Sequence, residues 1–275
     1  MKANRFFMTA IFSIIGVLAA AQPWMMRPQG PANEFSAMEG TSVLTYNLQM
    51  ERDIHSRAGF GPAFYIFPDS KLDNNQALEL AGKLDLVNII KEYGGRIMVV
   101  NPSSDKWQEQ DLENFRRLIG MGGSPTNVKV IGIGSGATFV NRHLAATDMT
   151  GVIAGIVSID GEPGKICKLP VPAFIGGKNA TETAKPYQST SDAAPADPLQ
   201  KVVVNTDKKA SLETLFAEAW DEVLSANYRY NNLYRTFYMS RGIDNPEGVK
   251  NYELVSIPVF EKLGIQRNVV EYPLV

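Results

Sequence analysis

The sequence is poor in the residues that metal and disulfide chemistry need. It contains one cysteine and two histidines in 275 residues. The single Cys167 cannot form an internal disulfide. His55 and His143 stand far apart, with no HxxxH pair and no CxxC motif, so a conventional zinc site is excluded. Neither a metal nor an organic cofactor is expected. Charge of one sign is lacking too: 27 Lys and Arg against 29 Asp and Glu give a formal net charge of −2. A nucleic-acid binder needs a basic footprint, so no nucleic-acid partner is expected. The remainder is 44% hydrophobic and 20% charged, which is the composition of a globular protein.

The first residues read as a secretory signal. Lys2 and Arg5 precede an apolar run from Phe6 to Ala20, and Ala19-Ala20-Ala21 supplies small residues at a cleavage point. The run is shorter than the roughly 20 residues that span a bilayer, so residues 1–21 are expected to be removed, leaving no membrane anchor. No cysteine sits at the cleavage point to carry a lipid. No twin arginine appears, so export of an unfolded chain without a preloaded cofactor is expected. The protein is therefore expected to be secreted or periplasmic. Residues 22–40 carry Pro23, Pro28, Gly30, Pro31 and Gly40 without apolar period, and read as a flexible leader.

From residue 41 onward, strand and helix patterns alternate. Strands are expected at Ser42–Leu48, Ala63–Phe67, Arg96–Val100, Val128–Ile131, Val152–Ile159, Val171–Ile175 and Lys201–Asn205. Val152–Ile159 and Val171–Ile175 are largely apolar, as in strands buried on both faces. Helices are expected over Leu84–Tyr93, around Leu112–Ile119, and over Leu212–Leu224 with Ser211 as N-cap. This alternation predicts one α/β domain over 41–275: a mostly parallel, doubly wound sheet with helices on both faces. Residues 178–200, rich in Thr, Ser, Ala, Asp and Pro, read as a surface loop insertion.

The informative motif follows the strand at Val128–Ile131: Gly132-Ile133-Gly134-Ser135-Gly136-Ala137 leading into a helix. One reading is a dinucleotide fingerprint, with Gly132, Gly134 and Ala137 admitting a pyrophosphate and Asp160 ending the next strand. Its position in mid-chain and the export signal both argue against it. The other reading is a nucleophile elbow, GxSxG, in which a strained strand-to-helix turn raises a nucleophile above the sheet.

On the second reading the chain resembles the α/β-hydrolase superfamily, in the region of its secreted esterases and polyhydroxybutyrate depolymerase-like members. The likeness spans roughly residues 60–180. It is carried by the elbow and by the order of Phe64–Pro68, Ile97–Pro102, Ile156–Gly161 and Val171–Gly177. The resemblance implies an α/β-hydrolase-like fold and a ligand cleft over Gly132, Gly134, Ser135 and Gly136. It also implies an acid after one of the following strands, at Asp160 or at the position of Asn179, or with a slip Glu182. The departures bear on activity. With Gly132 and Gly136 as flanking glycines, the nucleophile position is Gly134, which has no side chain, and Ser135 is one residue late. If Ser135 were the nucleophile, β-branched Ile133 would stand where a small residue belongs.

A triad of this family runs serine, acid, histidine, yet no histidine follows His143. His143 is on the elbow helix itself, about 12 Å along its axis from Ser135 at about 1.5 Å rise per residue. A general base must come within about 3 Å of the hydroxyl it deprotonates. The expected function is therefore a hydrolase-fold protein of esterase type with a degenerate triad, binding a small ester-like or polymer-derived ligand without standard catalysis. Two alternatives are an active ester hydrolase using Ser135 and a dinucleotide-binding enzyme. Asp69, Asp73 and Asn74 lack the glycine and glutamate of a calcium loop. The tyrosines and arginines between 228 and 241 read as a packed helix or a stacking surface, and Asn179-Ala180-Thr181 is a glycosylation sequon.

Overall fold

The computed structural model describes residues 30–49, 62–93, 95–121, 128–147, 153–165, 167, 171–192 and 201–225. The signal segment, His55 and the Tyr/Arg-rich stretch lie outside the described residues. Eight strands form one sheet: β1 (Glu34–Ala37), β2 (Val43–Asn47), β3 (Ala63–Phe67), β4 (Arg96–Val100), β5 (Val128–Ile133), β6 (Ile153–Ile159), β7 (Ala173–Gly176) and β8 (Val202–Asn205). Their order across the sheet is β1-β2-β4-β3-β5-β6-β7-β8. β2 runs antiparallel to β1 and β4, and every pairing from β4 to β8 is parallel.

Among the described residues the helices are α1 (Asn74–Lys83), α2 (Leu86–Tyr93), α3 (Asp111–Met121), α4 (Ser135–Phe139), α5 (Ala180–Asp192) and, after β8, α6 (Leu212–Ala219). α4 and α6 each run on into a π-helical turn, at Val140–Leu144 and Trp220–Leu224. The period-2 alternation of strand side chains sends Tyr65 and Phe67 to one face, and Phe64 and Ile66 to the other. On the first face they pack with Phe115 of α3, Phe139 of α4 and Tyr187 of α5. On the second they pack with Ala77 of α1, Ile90 of α2 and Phe216 of α6. Two buried layers on one sheet make a doubly wound α/β fold, as the alternating sequence pattern implied.

Three expectations need correction. The leader does not reach residue 40: Glu34–Ala37 pairs with β2, and Phe35 buries its ring against Tyr46 at a centroid distance of 5.4 Å. The loop expected over 178–200 is helical from Ala180 to Asp192. Its buried face is Ala180, Thr183, Ala184 and Tyr187, an i, i+3, i+4, i+7 stripe hidden by its polar composition. The helix expected to begin at Leu84 begins at Leu86. Leu84 closes α1, and Asp85 turns the chain with φ of 53°.

α1 itself has no apolar period to announce it, because its buried residues are the two small alanines Ala77 and Ala81. A capping box fixes its start. Asp73 accepts from the Gln76 N–H at 2.9 Å, and Gln76 accepts from the Asp73 N–H at 2.9 Å.

The chain leaves β3 toward β4 through α1 and α2 on one face, and leaves β5 toward β6 through α4 on the other. The carboxyl ends of neighbouring β3 and β5 are therefore a topological switch point, where open α/β sheets form a crevice.

Candidate ligand site at the switch point

At that point β5 runs into Gly134, whose φ of 56° and ψ of −119° make a sharp turn that a β-carbon would strain. α4 starts at the next residue. The turn is held by the Gly134 N–H, which donates to the Ile159 carbonyl at 2.9 Å. The flanking glycines are required by close approach. A Cβ at Gly132 would stand 2.6 Å from the Ala137 Cα, and one at Gly136 would stand 2.5 Å from the Pro68 carbonyl oxygen. The backbone is that of a nucleophile elbow with Gly134 at its apex.

The space above the apex is filled by Asp69, which follows β3. A Cβ on Gly134 would lie 2.6 Å from the Asp69 Cγ. The carboxylate Oδ1 accepts the Ser135 N–H at 2.7 Å. The Ser135 hydroxyl donates to the Asp69 backbone carbonyl. In a serine hydrolase the N–H after the nucleophile helps stabilise a developing oxyanion. Here that donor already serves a carboxylate. A pyrophosphate would meet the same negative charge, which removes the physical basis of the dinucleotide reading.

Beside Asp69 lies an aromatic group. The Trp107 indole N–H donates to the Pro68 carbonyl at 3.0 Å. Its ring stacks on Phe139 at 4.7 Å, and Phe67 touches both, at 5.4 and 5.9 Å. Trp107 remains half-buried, while Asp69 and Ser135 are exposed. His143 leans on the Phe139 ring at 5.3 Å. Among the described residues no hydrogen bond joins a histidine to Ser135.

Asp160 and Asn179 are brought to the same rim but not into contact with Ser135. Asp160 has φ of 56° and accepts the Lys178 N–H at 3.0 Å. The Asn179 amide donates to the Glu162 carboxylate at 3.0 Å. Beneath them is a buried polar network. Asn141 donates to the Ser158 hydroxyl at 3.0 Å and the Glu162 carbonyl at 2.9 Å, and accepts from the Tyr187 hydroxyl at 2.9 Å. Thr183 donates to the Gly161 carbonyl at 3.0 Å. Burial raises the Tyr187 pKa well above its ordinary value, with the nearby Cys167 adding to the effect. The phenol therefore stays a donor.

Lys129, in the body of β5, is fully buried, and that burial lowers its pKa to about 7. Among the described residues no group of three or more His, Cys, Asp and Glu side chains could hold a metal ion. No described helix is long and apolar enough to cross a membrane.

Sequence reasoning located the glycines and missed Asp69 and Trp107. In the sequence, Asp69 stands out only beside Asp73 and Asn74, as part of an incomplete calcium loop. The signal that finds it is topological: residues just after β3 and just after β5 share one rim when those strands are parallel neighbours.

No family model and no curated protein sequence matches the chain. Among solved structures, an esterase/lipase from an uncultured bacterium is 11% identical, with TM-score 0.45, over 87% of this chain and 88% of that one. Another esterase is 10% identical, with TM-score 0.41, over 67% of this chain and 75% of that one. A structure from work on carboxylesterases of the ammonia-oxidizing thaumarchaeon Nitrososphaera gargenis is 14% identical, with TM-score 0.29, over 71% and 66%. Likenesses this loose carry no activity to this chain.

Proposed function

We propose that this is an exported ligand-binding protein on an α/β-hydrolase-like fold, with no ester hydrolysis by a serine, histidine and acid. One observation carries the reading: the elbow apex is Gly134, and the Asp69 carboxylate fills the space that a nucleophile's side chain would occupy. A serine is a poor nucleophile without an adjacent base. Among the described residues the Ser135 hydroxyl donates to the Asp69 backbone carbonyl, which cannot take its proton, and the Asp69 carboxylate is engaged by the Ser135 N–H instead. The rim at the switch point presents Asp69, Ser135 and the half-buried Trp107, and the ligand proposed for it is a small molecule. Export follows from the N-terminal pattern, and cleavage after Ala21 is checked by sequencing the N-terminus of protein recovered outside the cytoplasm.

The test is hydrolysis of short-chain p-nitrophenyl esters by purified mature protein. The expected rate equals that of buffer. An esterase activity that disappears in Ser135→Ala would overturn the proposal and establish Ser135 as nucleophile.

A further inference from the structure

The geometry points to an organic ammonium group as the ligand feature recognised at the switch point, with Asp69 as its counter-charge and Trp107 as its aromatic wall. This rests on the crevice being a binding site, as proposed above, and adds the sign of the charge it selects. At an ordinary elbow, oriented N–H donors make the local potential positive and favour a carbonyl oxygen or anion. At this one the Ser135 N–H is spent on Asp69 Oδ1 at 2.7 Å. The carboxylate has one N–H donor, and its second oxygen has no protein donor among the described residues. No lysine or arginine forms an ion pair with it there. A full negative charge outweighs the partial positive charge of one peptide N–H, so the apex repels the oxygen of an ester and attracts a cation.

The aromatic neighbours act in the same direction. The Trp107 indole N–H is fixed to the Pro68 carbonyl, so the ring is anchored one residue before Asp69. Phe139 stacks on it and keeps its plane in place. A cation over an indole face gains from the ring quadrupole, and alkylated ammonium groups gain most because they are weakly hydrated. A carboxylate beside such a face selects an organic cation over an inorganic one.

The experiment uses three probes that share a benzyl group: benzyltrimethylammonium, benzyl acetate and benzylphosphonate. Binding to the mature protein is followed by Trp fluorescence and ligand-observed NMR. Benzyltrimethylammonium is expected to bind, at least about tenfold more tightly than either other probe, and to weaken with added salt. Asp69→Asn should cost it about tenfold, and Trp107→Leu several-fold. Asp69 is exposed, so its variant should melt like the parent. Asp69→Glu, which keeps the charge, should retain most of the affinity. Tighter binding of benzylphosphonate, no binding of the ammonium probe, or an unchanged affinity in Asp69→Asn would each overturn the inference. Release of benzyl alcohol from benzyl acetate would overturn the non-hydrolytic reading alone, because it leaves the charge preference to be measured separately.

Discussion

The rim of the sheet can be compared on either side of α4. On the β3 side, Asp69 and Ser135 are exposed and tied to each other. On the β6 side, the loop from Asp160 to Glu162 stands on a buried lattice of Asn141, Ser158, Tyr187 and Thr183, in which each named side chain is bonded. The buried bonds that hold the rim lie in the second region, and the proposed recognition falls in the first. An unmet buried polar group costs roughly 1–3 kcal/mol, whereas an exposed one is met by water. The β6 side therefore tolerates little change, and the β3 side tolerates a carboxylate where a hydrolase would keep an empty oxyanion site.

The largest effect that would break this contrast is steric, between the two regions. Gly136→Val should cost about 4 kcal/mol or prevent folding, since its Cβ enters the Phe67 and Pro68 carbonyls. Urea unfolding measures it. A cost below about 1 kcal/mol would mean that β3 and α4 are not held together there.

Next is Lys129, a buried charge away from both regions. Its folded pKa of about 7 lies below the ordinary value of 10.5, so between those values the unfolded chain binds more protons. Stability from this group must then rise as pH goes from 7 to 10, and the penalty is fully present below 7. Lys129→Met should flatten that rise, as pH-resolved melting would read. A wild-type stability that falls over the same range with Lys129 still present, and an unchanged slope in the variant, would reject this.

Asn141→Ala should cost about 2 kcal/mol, because it strands the Tyr187 hydroxyl and the Glu162 carbonyl together. Asp69→Asn should cost less than about 0.5 kcal/mol. If these two costs were equal, the distinction between the two sides of the rim would fail.

The sequence made the sheet legible because its strands are short apolar runs. Phe64–Phe67, Met98–Val100 and Ile153–Ile159 are buried along their length and announce themselves by composition alone. α6 was legible for a related reason: Leu215, Phe216 and Ala219 recur at helical spacing after the Ser211 cap. Elements that bury small or polar side chains were not. α1 buries two alanines, and α5 buries Thr183 and Tyr187 by hydrogen bonding as much as by apolar contact.

The site divides in the same way. The glycines are required by local backbone geometry, which a local pattern records. Asp69 reaches Ser135 across 66 positions of chain. Only the pairing of β3 with β5 brings them together, and no spacing rule encodes it.

The π-helical turn at Val140–Leu144 also shapes the support of this rim. Such a turn is what an α-helix becomes when one residue is added within it. Each added residue rotates everything downstream by about 100° around the axis. The first turn, with Ala137 against Gly132, keeps one phase, while Leu144 takes another. Between them the extra residue leaves Asn141 pointing inward, where it grips the Glu162 carbonyl. The wide turn thus supports a neighbouring loop without moving the start of the helix.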